Sequence, residues 1–166
     1  MIRDFPKVKR DLVLAVDPSL YPFIEGSADF EVMFFLALSF GLEHDPPTAV
    51  ERMVGFVEAM ADKQGIKEPL QMTIGTSDGE RVWAFRYSSE GRSRSLFYST
   101  KLHTLRQLYP DNPVLHDLAE ETRLIVSEPL GDLAGAWNEV PESSYGVVHH
   151  GHDELRSFRP RPWPSS

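Results

Sequence analysis

The hydrophobic period changes once along this chain, at Pro69, and that change constrains the fold more than any other feature. Upstream of it, apolar residues recur at three- and four-residue spacing; downstream they alternate. Helices followed by a run of strands is the pattern of an α+β domain, with helices packed on a mainly antiparallel sheet.

In the first part, residues 5–16 set Phe5, Val8, Leu12 and Val16 near one helical face. Pro18 and Pro22 bracket a turn. A second helix is expected from just after Gly26 to about Leu42; it is apolar nearly all round, which predicts burial on several sides. A third is expected to begin at Thr48, whose hydroxyl can cap while Glu51 reaches back in a capping box. It carries Val50, Val54, Val57 and Met60 and ends near Gly65. Beyond Pro69, residues 70–74 and 81–87 alternate around the turn signal Ser77-Asp78-Gly79-Glu80, which predicts a hairpin. Further strands are expected at 95–99, 123–127, 145–149 and 155–158, with 101–121 an insertion carrying a short helix after Pro113. The domain therefore spans 1–158. Residues 159–166 form a tail rich in Pro and Arg, expected to be extended or disordered because alternate prolines remove backbone donors.

Charge and composition exclude several functions. A formal net charge of −8 over 166 residues argues against nucleic acid or an anionic membrane as partner, since phosphate binding needs clustered Lys and Arg. The chain has no cysteine, so it has no disulfides, no thiolate metal site and no thiol nucleophile. Its most apolar run, 32–40, is far short of the roughly 20 residues that span a bilayer, and the expected setting is cytoplasmic. No Gly-x-Ser-x-Gly elbow supports a serine hydrolase. The glycines form no phosphate-cradling loop, and no cofactor is expected. His149-His150-Gly151-His152 with Asp153 invites a metal reading. Neighbouring residues on a strand point to opposite faces, so a polar turn between the last two strands is expected there instead.

Four stretches, in order, carry a resemblance to a known family. They are Ile2-Arg3-Asp4-Phe5 with Lys9-Arg10; Gly26-Ser27-Ala28-Asp29-Phe30-Glu31; Ser77 to Tyr87 followed by Ser95-Leu96-Phe97-Tyr98-Ser99; and Ile125 to Leu130 with Trp137 and Val140-Pro141. Together these resemble the later part of class II glutamine amidotransferases, in particular the stand-alone bacterial subgroup. The second stretch resembles the family's Gly-Ser-Thr-Asp-Ser-Glu element, with Ala28 and Phe30 in place of two hydroxyl residues. The resemblance implies a partial N-terminal-nucleophile (Ntn) hydrolase fold, an αββα sandwich of two antiparallel sheets between helical layers. It assigns substrate binding to Asp29, Ser27 and Gly26, with Asp29 holding the α-amino group of glutamine. The competing reading of Asp29 is a helix cap, since an acidic residue there satisfies free amides and favours the dipole; the two roles can coexist.

The family's chemistry also needs an N-terminal cysteine, an arginine for the glutamine carboxylate and an Asn-Gly oxyanion pair, all upstream of the matched stretches. The chain is therefore expected to be a portion of a glutaminase with no catalytic residue of its own. Either a longer protein has been cut or the fragment is natural and non-catalytic. Its expected partners are glutamine or a γ-glutamyl substrate in the intact enzyme, and a missing N-terminal segment or other partner over open sheet edges. An alternative of a different class is a non-catalytic α+β interaction module that docks a partner on those edges. If a longer protein has been cut, uncovered apolar faces are expected on the helix over 32–42.

Overall fold

In the computed structural model the described residues are 1–120, 122–129, 135–149 and 152–164. Glu121, Leu130, His150, Gly151 and the last two serines, which figure in the sequence motifs above, lie outside them. Three helices come first: α1 (Phe5–Leu14), α2 (Asp29–Ser39) and α3 (Pro46–Lys63). A short 3-10 turn, Tyr21–Phe23, lies between the first two, where Pro18 and Pro22 bracket the chain. The helix α1 buries Val8 and Leu12, two of the residues its period assigns to one face.

Both α2 and α3 end in the same way. Gly41 (φ 101°) follows α2, and the amides of Gly41 and Leu42 reach back to the carbonyls of Leu38 and Ala37. Gly65 (φ 68°) follows α3, and Gly65 and Ile66 do the same to Asp62 and Ala61. Glycine takes this left-handed position without the Cβ penalty, and the apolar residue after it, Leu42 or Ile66, turns back into the core.

The start of α3 corrects the sequence reading. Asp45, not Thr48, is the cap, its carboxylate accepting the Thr48 amide at 3.2 Å. Pro46 and Pro47 fit the first turn because their missing N–H groups would be unsatisfied there in any case. The side chains of Thr48 and Glu51 are engaged by the tail instead. Arg161 donates to the Thr48 hydroxyl at 2.8 Å and pairs with Glu51 at 3.1 Å.

The hairpin forms as expected: β1 (Gln71–Ser77) pairs antiparallel with β2 (Val82–Ser88), Gln71 opposite Ser88 and Ser77 opposite Val82. Short elements follow: β3 (Phe97–Ser99), α4 (Leu102–Leu108), α5 (Pro113–His116), β4 (Ile125–Val126), β5 (Trp137–Glu139), β6 (Ser144–His149) and β7 (His152–Ser157). The helix α4 and the strand β5 were not expected, and β3 and β4 are shorter than the stretches predicted for them. The strands form two antiparallel sheets, one in the order β1-β2-β6-β7 and one in the order β4-β3-β5. Helices and antiparallel sheets make this an α+β fold.

The main core lies between the three long helices and the larger sheet. Leu12, Leu36, Met53 and Val54 meet Met72, Phe85, Tyr145 and Phe158 there. Tyr87 and Ser89 donate to the Glu58 carboxylate, each at 2.6 Å, and lock the hairpin onto α3. The other face of the larger sheet is covered too, by Leu96 and Val140 against Ala84, with Tyr98 and Ile125 of the smaller sheet beside them. With both faces covered, Trp83, Ala84 and Phe85 of β2 are buried in succession. A separate cluster joins Leu102, Leu105 and Leu115 of α4 and α5 to Ala136 and Trp137.

Burial of α2 is not all-round. Val32, Met33, Leu36 and Ala37 are enclosed, while Phe30 is 72% and Phe34 50% exposed. The helix packs on α1 and α3, and its remaining stripe faces outward beside the free edge of β1. The tail, expected to be extended or disordered, is extended over 159–164 and docked on α3. The Arg161 amide donates to the Glu51 carbonyl at 3.0 Å. Trp163 lies against Phe56 and Phe40, with ring centroids 4.7 and 5.3 Å apart. Among the described residues no helix is long and apolar enough to cross a membrane.

Candidate functional site

The segment ahead of α2 is shaped by Glu31. Its Oε1 accepts the amides of Glu25 (2.9 Å) and Gly26 (3.0 Å), bending the loop back over the first turn. A Cβ at position 26 would lie 2.5 Å from the Glu31 Oε2, so a side chain there would make the carboxylate swing away from the loop it holds. The loop leads through an extended Ala28 into Asp29, the first residue of α2.

Asp29 uses both carboxylate oxygens. Oδ1 accepts the amide of the next residue, Phe30, at 2.9 Å; the N-cap position is Ala28, so the cap reading of Asp29 does not hold. Oδ2 accepts the Ile2 amide at 2.6 Å and so pins the first residues of the chain against the helix. Those residues are also pinned from the other side. Ile2 bridges Leu70, the Arg3 amide donates to Pro69 at 2.6 Å, and the amino group of Met1 donates to the Gln71 carbonyl.

A pocket of about 300 Å³ opens at this junction. Its floor is apolar, from Met33, Met72 and Ile74, and its rim carries Asp29, Gln71, Thr73 and Arg94. Carboxylate and guanidinium thus line one cavity of a size suited to a small polar ligand. The field there is felt by the Met1 amine. Burial pushes its pKa below the ordinary 8.0, Asp29 draws it up, and Arg94 pushes it down. An ammonium in this position is partly stripped of water, and a carboxylate at hand offsets that loss.

Of the residues singled out from sequence, Asp29 lines the pocket and Gly26 and Ser27 do not. Ser27 is exposed. Sequence reasoning missed Arg94, Gln71 and Thr73. The alternation of the first hairpin strand does set Gln71 and Thr73 on one face, but Arg94 sits in an irregular loop where no period could point to it. His149 and His152 oppose one another across β6 and β7, and the two residues between them lie outside the described part. Among the described residues no group of three or more His, Asp or Glu side chains is placed to hold a metal ion.

No family model and no curated protein matches the chain. A solved structure from Silicibacter pomeroyi, described as a glutamine aminotransferase class-II domain protein, is similar over 97% of this chain, with 27% identity and a TM-score of 0.80. The fold is glutamine amidotransferase-like. The chain spans 65% of the length of that solved structure. The pocket at Asp29 lies inside the shared portion, since nearly the whole chain is matched.

Proposed function

We propose that this chain supplies the substrate-amine side of a class II glutamine amidotransferase domain with the Ntn-hydrolase αββα sandwich. The observation that supports it most is the pairing of Asp29 with Arg94 across one pocket, in a chain similar to a class II domain protein. Free glutamine is a zwitterion at one end and an amide at the other. Asp29 would take its α-ammonium, and Arg94 stands where a carboxylate could be neutralised.

The reaction of the intact enzyme would proceed in two steps. A cysteine thiolate attacks the side-chain amide carbon, the C–N bond breaks, and ammonia leaves with the proton the thiol gave up. Water then cleaves the thioester, releasing glutamate (or the γ-glutamyl acid) and restoring the thiol. The nucleophile and the oxyanion donors must come from outside this chain, which has no cysteine. The partners proposed are therefore a glutamine or γ-glutamyl substrate and the segment that carries the nucleophile.

The test is kinetic. With a nucleophile-bearing segment supplied in cis or in trans, glutaminase activity appears, and Asp29→Asn raises KM at least about tenfold with a smaller change in kcat, the loss of one charge-assisted contact. An unchanged KM removes Asp29 from substrate binding. No activity with any such segment favours the second reading, a non-catalytic interaction module, for which the exposure of Phe30 and Phe34 is the supporting observation.

A further inference from the structure

Arg94 lines the pocket from residues 89–96, a stretch between β2 and β3 that is neither helix nor strand. With no ladder to pair in, its backbone groups must find side chains. The buried Ser88 hydroxyl accepts the amides of Glu90 and Arg92, at 3.2 and 3.1 Å, and so closes a turn. Glu142 then takes the two ends of that turn. Its Oε1 accepts the Ser88 amide at 2.9 Å, and its Oε2 accepts the Ser93 amide at 2.6 Å together with the Ser93 hydroxyl.

Beyond Arg94 the chain is held again. The Ser95 hydroxyl donates to the Ser127 carbonyl at 2.8 Å, and the Val140 amide donates to the Leu96 carbonyl at 2.8 Å. From the pocket itself, Gln71 Nε2 donates to the Arg92 carbonyl at 3.1 Å. Arg94 is thus bracketed by fixed neighbours while its own side chain lines the cavity.

The clasp comes from a distant part of the chain. Glu142 lies on the connection between β5 of the smaller sheet and β6 of the larger. Arg86 of β2 balances its charge from 4.0 Å, and the Arg86 Nε donates to the Ser93 hydroxyl at 3.0 Å. Arg86 is anchored in turn by the Val140 carbonyl at 2.8 Å and by Glu139. Burial alone would raise the Glu142 pKa. Hydrogen bonds from Ser93 and Ser88 and the charge of Arg86 outweigh it and hold the carboxylate below its usual range. A carboxylate that accepts three hydrogen bonds from one short stretch is a fixed anchor for that stretch.

We infer that Glu142 is a positioning residue, whose clasp on Ser93 keeps the Arg94 guanidinium at the pocket rim, ready for a substrate carboxylate. Its part in binding rests on the reading of Arg94 as carboxylate partner in the proposed amidotransferase. The clasp itself is a property of the chain without substrate.

Two measurements on Glu142→Gln test it, a change that keeps the side chain's shape but removes its charge and one acceptor. The first is NMR relaxation of the backbone amides in the full chain without ligand. Order parameters of Ser93 and Arg94 should fall from about 0.85 to below about 0.6, with residues 82–87 unchanged. Rigid Ser93 and Arg94 amides in the variant overturn the inference. Ser93→Ala, which removes only the hydroxyl from the clasp, should loosen the same amides less and serves if Glu142→Gln does not fold. The second measurement is KM for glutamine with the nucleophile-bearing segment supplied. Glu142→Gln and Arg94→Gln should each raise KM at least about fivefold with kcat within about twofold, and the double variant no further than Arg94→Gln alone. Additive effects, or an unchanged KM in Glu142→Gln, overturn the inference, because Glu142 would then not act through Arg94. Absence of activity in the unaltered chain counts against the proposed reaction alone, and the relaxation measurement decides the clasp by itself.

Discussion

The helices α2 and α3 are both rich in apolar residues, and their outward sides meet opposite fates. Over α3 the chain's own tail lies as a roof, with Trp163 against Phe56 and Arg161 tied to Glu51 and Thr48. Over α2 the described residues leave Phe30 largely and Phe34 half exposed. The pattern of a helix thus says how much of it is apolar, but not which segment covers it. For α3 the cover arrives from more than a hundred residues away.

The roof can be broken at one atom. A Cβ on Gly55 would lie 1.8 Å from the Arg161 carbonyl oxygen, which is backbone and cannot swing aside. Gly55→Ala should lift the tail. Losing the packing of Trp163 outweighs the roughly 1 kcal/mol that alanine gains in a helix, for a net loss of about 2–3 kcal/mol. Urea unfolding measures it, and Trp163 emission should shift to the red at the same time; an unshifted spectrum with full stability would show that the tail does not rest there.

The open side predicts the reverse. Phe34→Ser removes a half-exposed ring and should change stability by no more than about 0.5 kcal/mol, as urea unfolding reads it. A loss above about 2 kcal/mol would mean that this face is covered in solution and that the contrast with α3 is false.

The smallest effect concerns pH. The Met1 amine has its pKa lowered from 8.0 by burial, so the unfolded chain holds this proton more tightly than the folded one. Stability from this group therefore rises as pH climbs from the lowered folded value to 8.0 and is level outside that window. Acetylation of the amine should flatten the rise, as read by thermal midpoints across that range.

How much of this was legible in the sequence depends on reach. The hairpin of β1 and β2 could be read because its strands alternate and its turn, Asp78-Gly79, is local. The helix α1 was legible for the same reason. The cap of α3 was misread because Thr48 and Glu51 match a local motif but are engaged by Arg161, a residue no window around them contains. A strand of three residues such as β5 is too short to show a period and exists only through pairing with β3, whereas β4 lies within the strand expected over 123–127. At the pocket, Asp29 was found through resemblance to a family. Arg94 was not, because a loop residue acquires its place only when the hairpin and α2 are already side by side.

The docking of Trp163 also sets an order of events during synthesis. Phe40 and Phe56 leave the ribosome long before the indole that covers them, 107 residues separating Phe56 from Trp163. At about 5–20 residues per second the slot on α3 stands open for roughly 5 to 20 seconds in each new molecule. A contact this distant in sequence adds to contact order and so forms late. The slot on α3 is therefore where a nascent chain of this protein would spend longest with its aromatic rings in water.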